Sequence, residues 1–479
     1  MKKLLLSASL LLAASTAFAV TDGQTYEAKK GLTITNLWTI DRTHNAADYE
    51  KLAIANKNAR TAATDGKVVY VGLSMEEGQT TLERFDLETG ALMEPLALKL
   101  NGEAYVGTLC ANQVGLDDYG HLYIAPFNAN SAGNTAFKVY LVNTETGDLT
   151  LVGSNTMDFM GGIGRIDYCD VKGDLTGVES SCTVIAAAST NDIVVFGWTM
   201  PQGSTEWEGA FTGMPYQQVT GTYPADQTIF NYGSVAKHVK DGTGDLGMFY
   251  IDGFTTFPAL YGSDGAMVGN LGEADLIVTD KETGTTTGTV PAPNDAGTNG
   301  IAELSCGAQN IIGYSEGQYP SAGGNAQVII TAVDGDYTFS SMEHLWTVPA
   351  DGFSTKSDSG VRVHCIQGVQ LPEDAAGKSA TLLVTFKCFN GLAVYRIAEE
   401  GYNPQGGVAE NVVANAQITV NGDVIAVSEV AEAIEVYNIA GQKVAQANNA
   451  TEVVAPAAGV YVVKATVAGE QTVAKVVVR

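Results

Sequence analysis

Short runs of alternating apolar and polar residues, closed by glycine turns, recur along most of this chain. From Ala59 the sequence reads ARTAATDGKVVYVGLSMEEGQTTLERFDLETGAL, and from Thr108 it reads TLCANQVGLDDYGHLYIAPFNANSAGNTAFKVYLVNTETGDLTLV. Each stretch predicts a short strand, a glycine turn, a β-branched and aromatic strand (Lys67 to Gly72; His121 to Ala125), a polar loop, a third strand, and a Glu-Thr-Gly turn into a fourth. That last turn is Asp86-Leu-Glu-Thr-Gly90 in one copy and Asn143-Thr-Glu-Thr-Gly147 in the other, with glycine where a positive φ is needed. A repeated four-strand meander predicts a β-propeller.

Four more copies follow at intervals of roughly 50 to 80 residues, longer than a minimal blade, so loops are inserted. The third carries Arg165 to Cys169, Cys182 to Ala188 and Ile193 to Trp198, followed by a polar, aromatic excursion over 199–229. The fourth runs from Ser234 through Met248 to Ile251 and Phe257 to Leu260, and a further hairpin spans Leu276 to Gly284. The fifth carries Leu304 to Cys306, Ala326 to Thr331 and His344 to Val348; the sixth carries Val363 to Cys365, Thr381 to Phe386 and Leu392 to Ile397. Near the N-terminus, NLWTI resembles the HLWTV of the fifth copy, so a strand from the start of the chain is expected to complete the last blade. Residues 45–58 have helical propensity, yet a loop or outer strand fits the repeat better there. The expected fold is all-β: a six- or seven-bladed propeller over 20–400, a linker over 401–416, and a small immunoglobulin-like sandwich over 417–479.

The tail carries the strands Ile418 to Val420, Val424 to Val427, Ile434 to Ile439, Val460 to Lys464 and Val473 to Val478. Glu435 to Val444 (EVYNIAGQKV), Ala458 to Lys464 (AGVYVVK) and the ending Lys475 to Arg479 (KVVVR) resemble the type A C-terminal sorting domain of proteins exported by the type IX (Por) secretion system of Bacteroidota. The family's opening Tyr-Pro-Asn-Pro-like box has only Gly401 to Pro404 (GYNP) as a counterpart. The resemblance implies recognition by the secretion machinery and delivery to the cell surface or medium.

The N-terminus agrees with export. Met1 to Lys3, the apolar run Leu4 to Ala14 and the small-residue site Ala17-Phe-Ala19 form the three parts of a secretory signal, with cleavage expected after Ala19. No later stretch approaches the length of a membrane-spanning helix. A formal net charge of -27 repels phosphate backbones and anionic lipid, which argues against nucleic acid as a partner. Six cysteines permit disulfides, with Cys169–Cys182 and Cys365–Cys388 as candidate cross-links, but Cys110, Cys169, Cys306 and Cys365 fall on inner strands, where buried free thiols also fit.

No nucleophile elbow, P-loop or zinc-helix motif is present. Oxygen-rich turns at Asp241 to Asp245, Asp334 to Asp336 and Asp295 to Gly300 would suit Ca2+, although ordinary β-turns account for each. His238 and His364 fall in comparable inner-strand segments and read as packed or solvated. Mapped onto a propeller, the loops between second and third strands form the mouth of the channel. They offer Asn128, Asn130, Asp252, Phe254, Asp336, Tyr337, Phe389 and Asn390, with Trp207 and Tyr216 on the excursion. Aromatic faces beside amides and carboxylates suit a glycan or an extended protein segment. The expected function is therefore non-catalytic adhesion or recognition at the cell surface. A surface glycoside hydrolase or lyase, using acids such as Asp167, Asp252 and Asp336, is the alternative, and a purely structural surface component is a third.

Overall fold

The alternation read along the chain is realised as strand, and the one helix among the described residues is the six-residue Ala46–Lys51. The computed structural model describes residues 20–52, 59–73, 78–107, 109–129, 136–155, 165–189, 193–204, 214–216, 235–239, 247–253, 256–262, 266–270, 278–279, 286–287, 300–315, 327–333, 339, 342–353, 365–388, 390–403, 418–422, 424–438, 442–457, 459–467 and 470–478. Two compact units emerge: 1–371 with 379–401, and 372–378 with 402–479. No helix among the described residues is long and apolar enough to cross a membrane.

In the first unit, six sheets of four or more strands follow one another along the chain. The first sheet is Ala59–Thr64, Val68–Leu73, Thr81–Asp86 and Leu96–Ala97. The second is Gln113–Leu116, Leu122–Ala125, Phe137–Val142 and Asp148–Asn155, extended by Lys99–Leu100 and Glu103–Ala104. Arg165–Gly173, Cys182–Ser189, Ile193–Met200 and Met214–Tyr216 make the third, with Asn128–Ala129 paired to its first strand on the side away from Cys182–Ser189. The fourth is Val235–His238, Phe249–Gly253, Thr256–Tyr261 and Met267–Asn270; the fifth is Ile301–Cys306, Gln309–Ser315, Val328–Val333 and Glu343–Val348. The sixth runs Cys365–Gln370, Ala380–Lys387, Gly391–Glu399 and then, from the far end of the chain, Leu32–Ile40. That N-terminal strand pairs antiparallel from Leu32 opposite Glu399 to Ile40 opposite Leu392, as the NLWTI sequence led one to expect. Val278–Thr279 and Thr286–Thr287 form a separate two-stranded hairpin.

Side-chain packing links these sheets in a closed cycle. One apolar cluster joins the first and second sheets through Tyr70, Leu82, Val114 and Ile124, and others join the second to the third, the third to the fourth, the fourth to the fifth and the fifth to the sixth. A sixth cluster joins the sixth sheet back to the first through Val384, Leu392, Val69 and Phe85, with Trp38 and Ile40 of the N-terminal strand among them. Each sheet thus buries both faces, which explains why middle strands such as VIITAV (328–333) and ATLLVTFK (380–387) are apolar almost throughout and fully buried.

The Glu-Thr-Gly turns owe their sequence to hydrogen bonding as well as to glycine. Asp86 Oδ1 accepts from the Thr89 N–H (2.8 Å) and hydroxyl (2.6 Å), and Asn143 Oδ1 accepts from Glu145 N (2.9 Å) and Thr146 N (3.0 Å), closing each loop over itself. Gly147 follows at φ +76, with the Ala97 carbonyl oxygen where a Cβ would stand. Both a left-handed backbone and an empty side are needed at that position.

Several expectations require correction. Residues 46–51 are helical because Tyr49 and Leu52 are drawn into the cluster around Trp38, and tertiary burial decides the local conformation. The fifth sheet holds a strand the sequence reading passed over, Gln309–Ser315, so 328–333 is its third strand and not its second. Cys110 lies in a turn ahead of Gln113–Leu116 and not within the strand. All six cysteines are unbridged. Register explains why: Cys169 stands opposite Ala186 and Cys182 opposite Gly173, while Cys365 stands opposite Phe386, so neither expected pair meets across its ladder.

The second unit contains one hydrogen-bonded sheet of five strands: Ile418–Asn421, Val424–Asn438, Lys443–Val454, Gly459–Val467 and Glu470–Val478. Two segments read as separate strands are one long strand, Val424–Asn438, whose register shifts between Ala426 and Ala431. Its first part pairs with Ile418–Asn421, its last part with Gly459–Val467, and Lys443–Val454 follows both. That strand, KVAQANNATEVV, was not expected, being rich in Ala and Asn; its long neighbour supplies a hydrogen-bonding edge that overrides its weak propensity.

Candidate functional site

The first strands of all six sheets contribute to the wall of one cavity of about 470 Å³. Where six strands converge, small residues are needed: Thr61, Ala62 and Ala63 line it from the first sheet, Gly115 from the second, Ala302 from the fifth and Gly368 from the sixth. Gly368 is also where Leu304 of the fifth sheet packs, and a Cβ there would collide with its Cδ2.

Against this small-residue wall stands a group of polar side chains from the third to the sixth sheets. Tyr168, Asp170 and Lys172 come from Arg165–Gly173, Lys237 and His238 from Val235–His238, Glu303 from Ile301–Cys306, and Cys365 from the start of the sixth sheet. Asp170 and His238 bind the third sheet to the fourth: Asp170 Oδ2 accepts from the His238 backbone N–H at 2.8 Å and lies 3.1 Å from His238 Nδ1. Burial pushes the Asp170 carboxyl upward, but the His238 side-chain hydrogen bond, the His238 and Lys237 charges and the His238 N–H outweigh it, so Asp170 ionises below the usual carboxylate range. Burial, with the Asp170 charge behind it, holds the Tyr168 hydroxyl well above its ordinary value. Burial likewise pushes the Cys365 thiol up to about 12, against the opposing pull of Lys237. Near neutrality, then, this end of the cavity presents a carboxylate, a neutral phenol and a neutral thiol.

Because its ionisation is depressed in the fold, Asp170 stabilises the protein above the carboxylate's unfolded pKa, and that contribution disappears as pH falls through the lower, folded value. Urea unfolding midpoints followed from about pH 7 to about pH 3 are expected to fall less steeply for Asp170→Asn than for the parent chain. Parallel acid limbs would show that the pair with His238 contributes nothing.

A second polar cluster joins the second and third sheets beyond the ends of their first strands. Asp117, His121 and Asp174 bring potential metal-ligating atoms within 4.8 Å of one another. His121 Nδ1 lies 2.9 Å from Asp117 Oδ2 and 3.3 Å from Asp174 Oδ1. The carboxylate oxygens are, however, already occupied. Asp117 accepts from the N–H groups of Tyr119, His121 and Leu175 at 2.8–2.9 Å, and Asp174 accepts from Thr176, Val178 and Glu179 at 2.7–3.0 Å, with the Thr176 hydroxyl at 2.6 Å. Burial raises the Asp174 carboxyl, yet the Thr176 hydroxyl and the backbone donors bring it below the usual range. These are the features of a hydrogen-bonded joint between neighbouring turns. The three turns read as candidate Ca2+ loops lie outside the described residues, apart from Gly300.

Of the ten loop residues expected to bind ligand, four are among the described residues, and none of those four lines this cavity. Asn128 lies in a two-residue strand paired opposite Ile166, beside the first strand of the third sheet. Tyr216 pairs with Ile193 in the last strand of that sheet, separated by two strands from Arg165–Gly173, so Met214–Tyr216 of the 199–229 excursion completes the sheet. Asp252 is fully buried and accepts from Gly253 N (2.7 Å) and Gly300 N (2.9 Å), tying the fourth sheet to the entry of the fifth. Asn390 is also fully buried, its Nδ2 donating to the Cys388 carbonyl at 2.9 Å. Asn130, Trp207, Phe254, Asp336, Tyr337 and Phe389 lie outside the described residues. Asp167 is buried, and its carbonyl accepts from Asn112 Nδ2 at 2.8 Å. His238 is packed, as the sequence suggested, but it is packed against the cavity. The signal that could have found the site was the appearance of Asp170, Lys172, Lys237, His238 and Glu303 on strands whose neighbours are apolar.

No family model matches the chain, and no curated protein does. Among solved structures it is similar to a DUF4623 family protein from Bacteroides eggerthii, at 12% identity over 79% of this chain and 78% of that one, with a TM-score of 0.51. It is more distantly similar to the extracellular domain of a hybrid two component system, BT3049, from B. thetaiotaomicron (12% identity, 88% of this chain and 55% of that one, TM-score 0.29). An exo-beta-1,3-galactanase from Phanerochaete chrysosporium aligns at 10% identity over 87% and 91%, with a TM-score of 0.33. The first is a likeness of fold, and the other two carry no argument.

Proposed function

We propose that the first unit is a six-bladed β-propeller closed by its N-terminal strand, and that the protein is an exported, non-catalytic recognition protein whose ligand enters the cavity at the propeller axis. The observation that carries the reading is the cycle of six apolar clusters around one polar cavity fed by every sheet's first strand. Its volume falls within the range of about 300–1,000 Å³ typical of small-molecule sites. Residues 1–19 act as a secretory signal in this reading. The second unit, a single bonded sheet whose long central strand bends, is an immunoglobulin-like domain of type IX sorting kind that directs the protein to the surface or medium. Export of this kind is consistent with the acidic composition and with the signal-like sequence of residues 1–19.

The state of Asp170 excludes it as the acid of a glycoside hydrolase, though not as that reaction's ionised carboxylate. Acid catalysis at a glycosidic bond needs a carboxyl held protonated, with a raised pKa, whereas Asp170 is held ionised by His238. The reading is tested by presenting the chain lacking residues 1–19 to a glycan array and to immobilised extracellular-matrix proteins, with and without calcium. Saturable binding to at least one class is expected; silence on every surface in both conditions would remove recognition as the function.

A further inference from the structure

Residues 20–31, which follow the cleavage site expected after Ala19, are bonded to two sheets at once. Beside the sixth, the Val20 carbonyl accepts from the Thr39 N–H at 2.7 Å, the Asp22 N–H donates to Asn36 Oδ1 at 2.8 Å, and the Gly31 carbonyl accepts from the Glu400 N–H at 2.8 Å. Beside the fifth, Trp346 Nε1 donates to the Glu27 carbonyl at 2.8 Å, Gln24 Nε2 donates to Asp351 Oδ2 at 2.8 Å, and the Ala350 N–H donates to the Tyr26 hydroxyl at 3.1 Å. Asp22 is the centre of this clasp. It is only 8% exposed, and its Oδ2 accepts from the Tyr26 hydroxyl at 2.8 Å and from the hydroxyl of Tyr395, on the sixth sheet, at 3.2 Å. The two tyrosine rings meet edge-on with centroids 6.3 Å apart. Burial raises both hydroxyls above their ordinary values, so each stays protonated and donates.

A protease that cuts between Ala19 and Val20 needs the residues around that bond extended, with backbone groups free to pair with the enzyme. Hydrolysis adds water across the amide and leaves the Ala19 carboxylate and the Val20 ammonium group. In the fastened clasp the Val20 carbonyl and the Asp22 N–H, just past that bond, are already taken by Thr39 and Asn36. We propose that residues 20–31 set the order of maturation: removal of residues 1–19 comes before the clasp fastens, and fastening ends the opportunity for it. The delay is built into the partners, because Trp346, Ala350, Asp351 and Tyr395 lie near the C-terminal end of the first unit and must be made and folded before the clasp has anything to hold. This ordering rests on residues 1–19 being a secretory signal.

The test follows cleavage of the full chain, 1–479, by signal peptidase in detergent micelles. One portion is added directly from urea, and the other is first refolded in the same detergent, with near-ultraviolet circular dichroism confirming ordered aromatic packing. The refolded portion is expected to be cut about tenfold or more slowly, because only chains with a transiently open clasp are substrates and cleavage then tracks their population. Asp22→Ala, which removes the acceptor for both tyrosines, should return refolded chains to within about threefold of the unfolded rate. Tyr26→Phe keeps the ring and loses one hydroxyl; it should recover an intermediate rate, and it covers the case of an Asp22→Ala chain that fails to fold. Equal rates for the refolded and unfolded parent, or a folded variant as resistant as the parent, would overturn the ordering while leaving the signal reading in place. No cut after Ala19 even in the unfolded chain would remove the signal reading and the ordering with it.

Discussion

Replacing Trp38 by alanine is expected to destabilise the first unit by about 3–5 kcal/mol, the range for removing a fully buried large aromatic. The indole has no solvent exposure, its Nε1 donates to the Leu87 carbonyl at 2.8 Å, and its ring lies 6.1 Å from that of Phe85. Trp38 therefore extends from a strand of the sixth sheet into the core and backbone of the first, at the junction where the cycle of sheets closes. Alanine would leave both a cavity and an unpaired carbonyl. Thr35→Ala, on the exposed side of the same strand, is the control and should change stability by less than about 0.5 kcal/mol. Equal urea midpoints for the two variants would mean that the N-terminal strand does not secure the closure.

Replacing Asp117 by alanine is expected to cost about 3–5 kcal/mol, because three backbone N–H groups lose their acceptor at once and each buried unsatisfied donor is worth about 1–3 kcal/mol, partly recovered by solvent. Two of those donors, Tyr119 and His121, shape the turn of the second sheet; the third, Leu175, lies in the turn that follows the first strand of the third sheet. Asp117→Asn should lose roughly half as much, since the amide keeps one accepting oxygen but turns an N–H toward the other donors. Thermal unfolding with added calcium or with chelator distinguishes this joint from a metal centre. Identical midpoints in both conditions are expected, and a calcium-dependent rise that vanishes in Asp117→Ala would establish a cation site instead.

Much of the first unit could be read from its strands because their chemistry is local. Val69, Tyr123, Ile185, Phe249 and Leu383 do occupy second strands, where apolar runs and glycine turns mark them out. Ile329 was displaced by one strand because Gln309–Ser315, opening with Gln and Asn, has a polar start that resembles a loop. Sheet-to-sheet packing is a different matter. Nothing in the spacing of Asp170 and His238 announces that they meet, since they are brought together by the approach of two first strands and not by any local pattern. Two of the loop residues, Asp252 and Asn390, are polar and lie beside glycine, which looks like exposure, yet both are buried and engaged in hydrogen bonds with backbone groups. Polar residues on inner strands are the more informative signal, because burial makes each of them require a partner.

The pairing of Leu32–Ile40 with Gly391–Glu399 has a consequence for biogenesis. The strand Leu32–Ile40 must wait for nearly all the rest of the first unit to be synthesised before its partner exists, with Leu32, Ile34, Trp38 and Ile40 unsheltered in the meantime. Such a long-range contact meets its loop-closure entropy last, so the locking step is slow and follows synthesis of Gly391–Glu399. Until those two strands pair the cycle of sheets stays open, and a relocated terminus that joined them directly in sequence would be expected to fold faster.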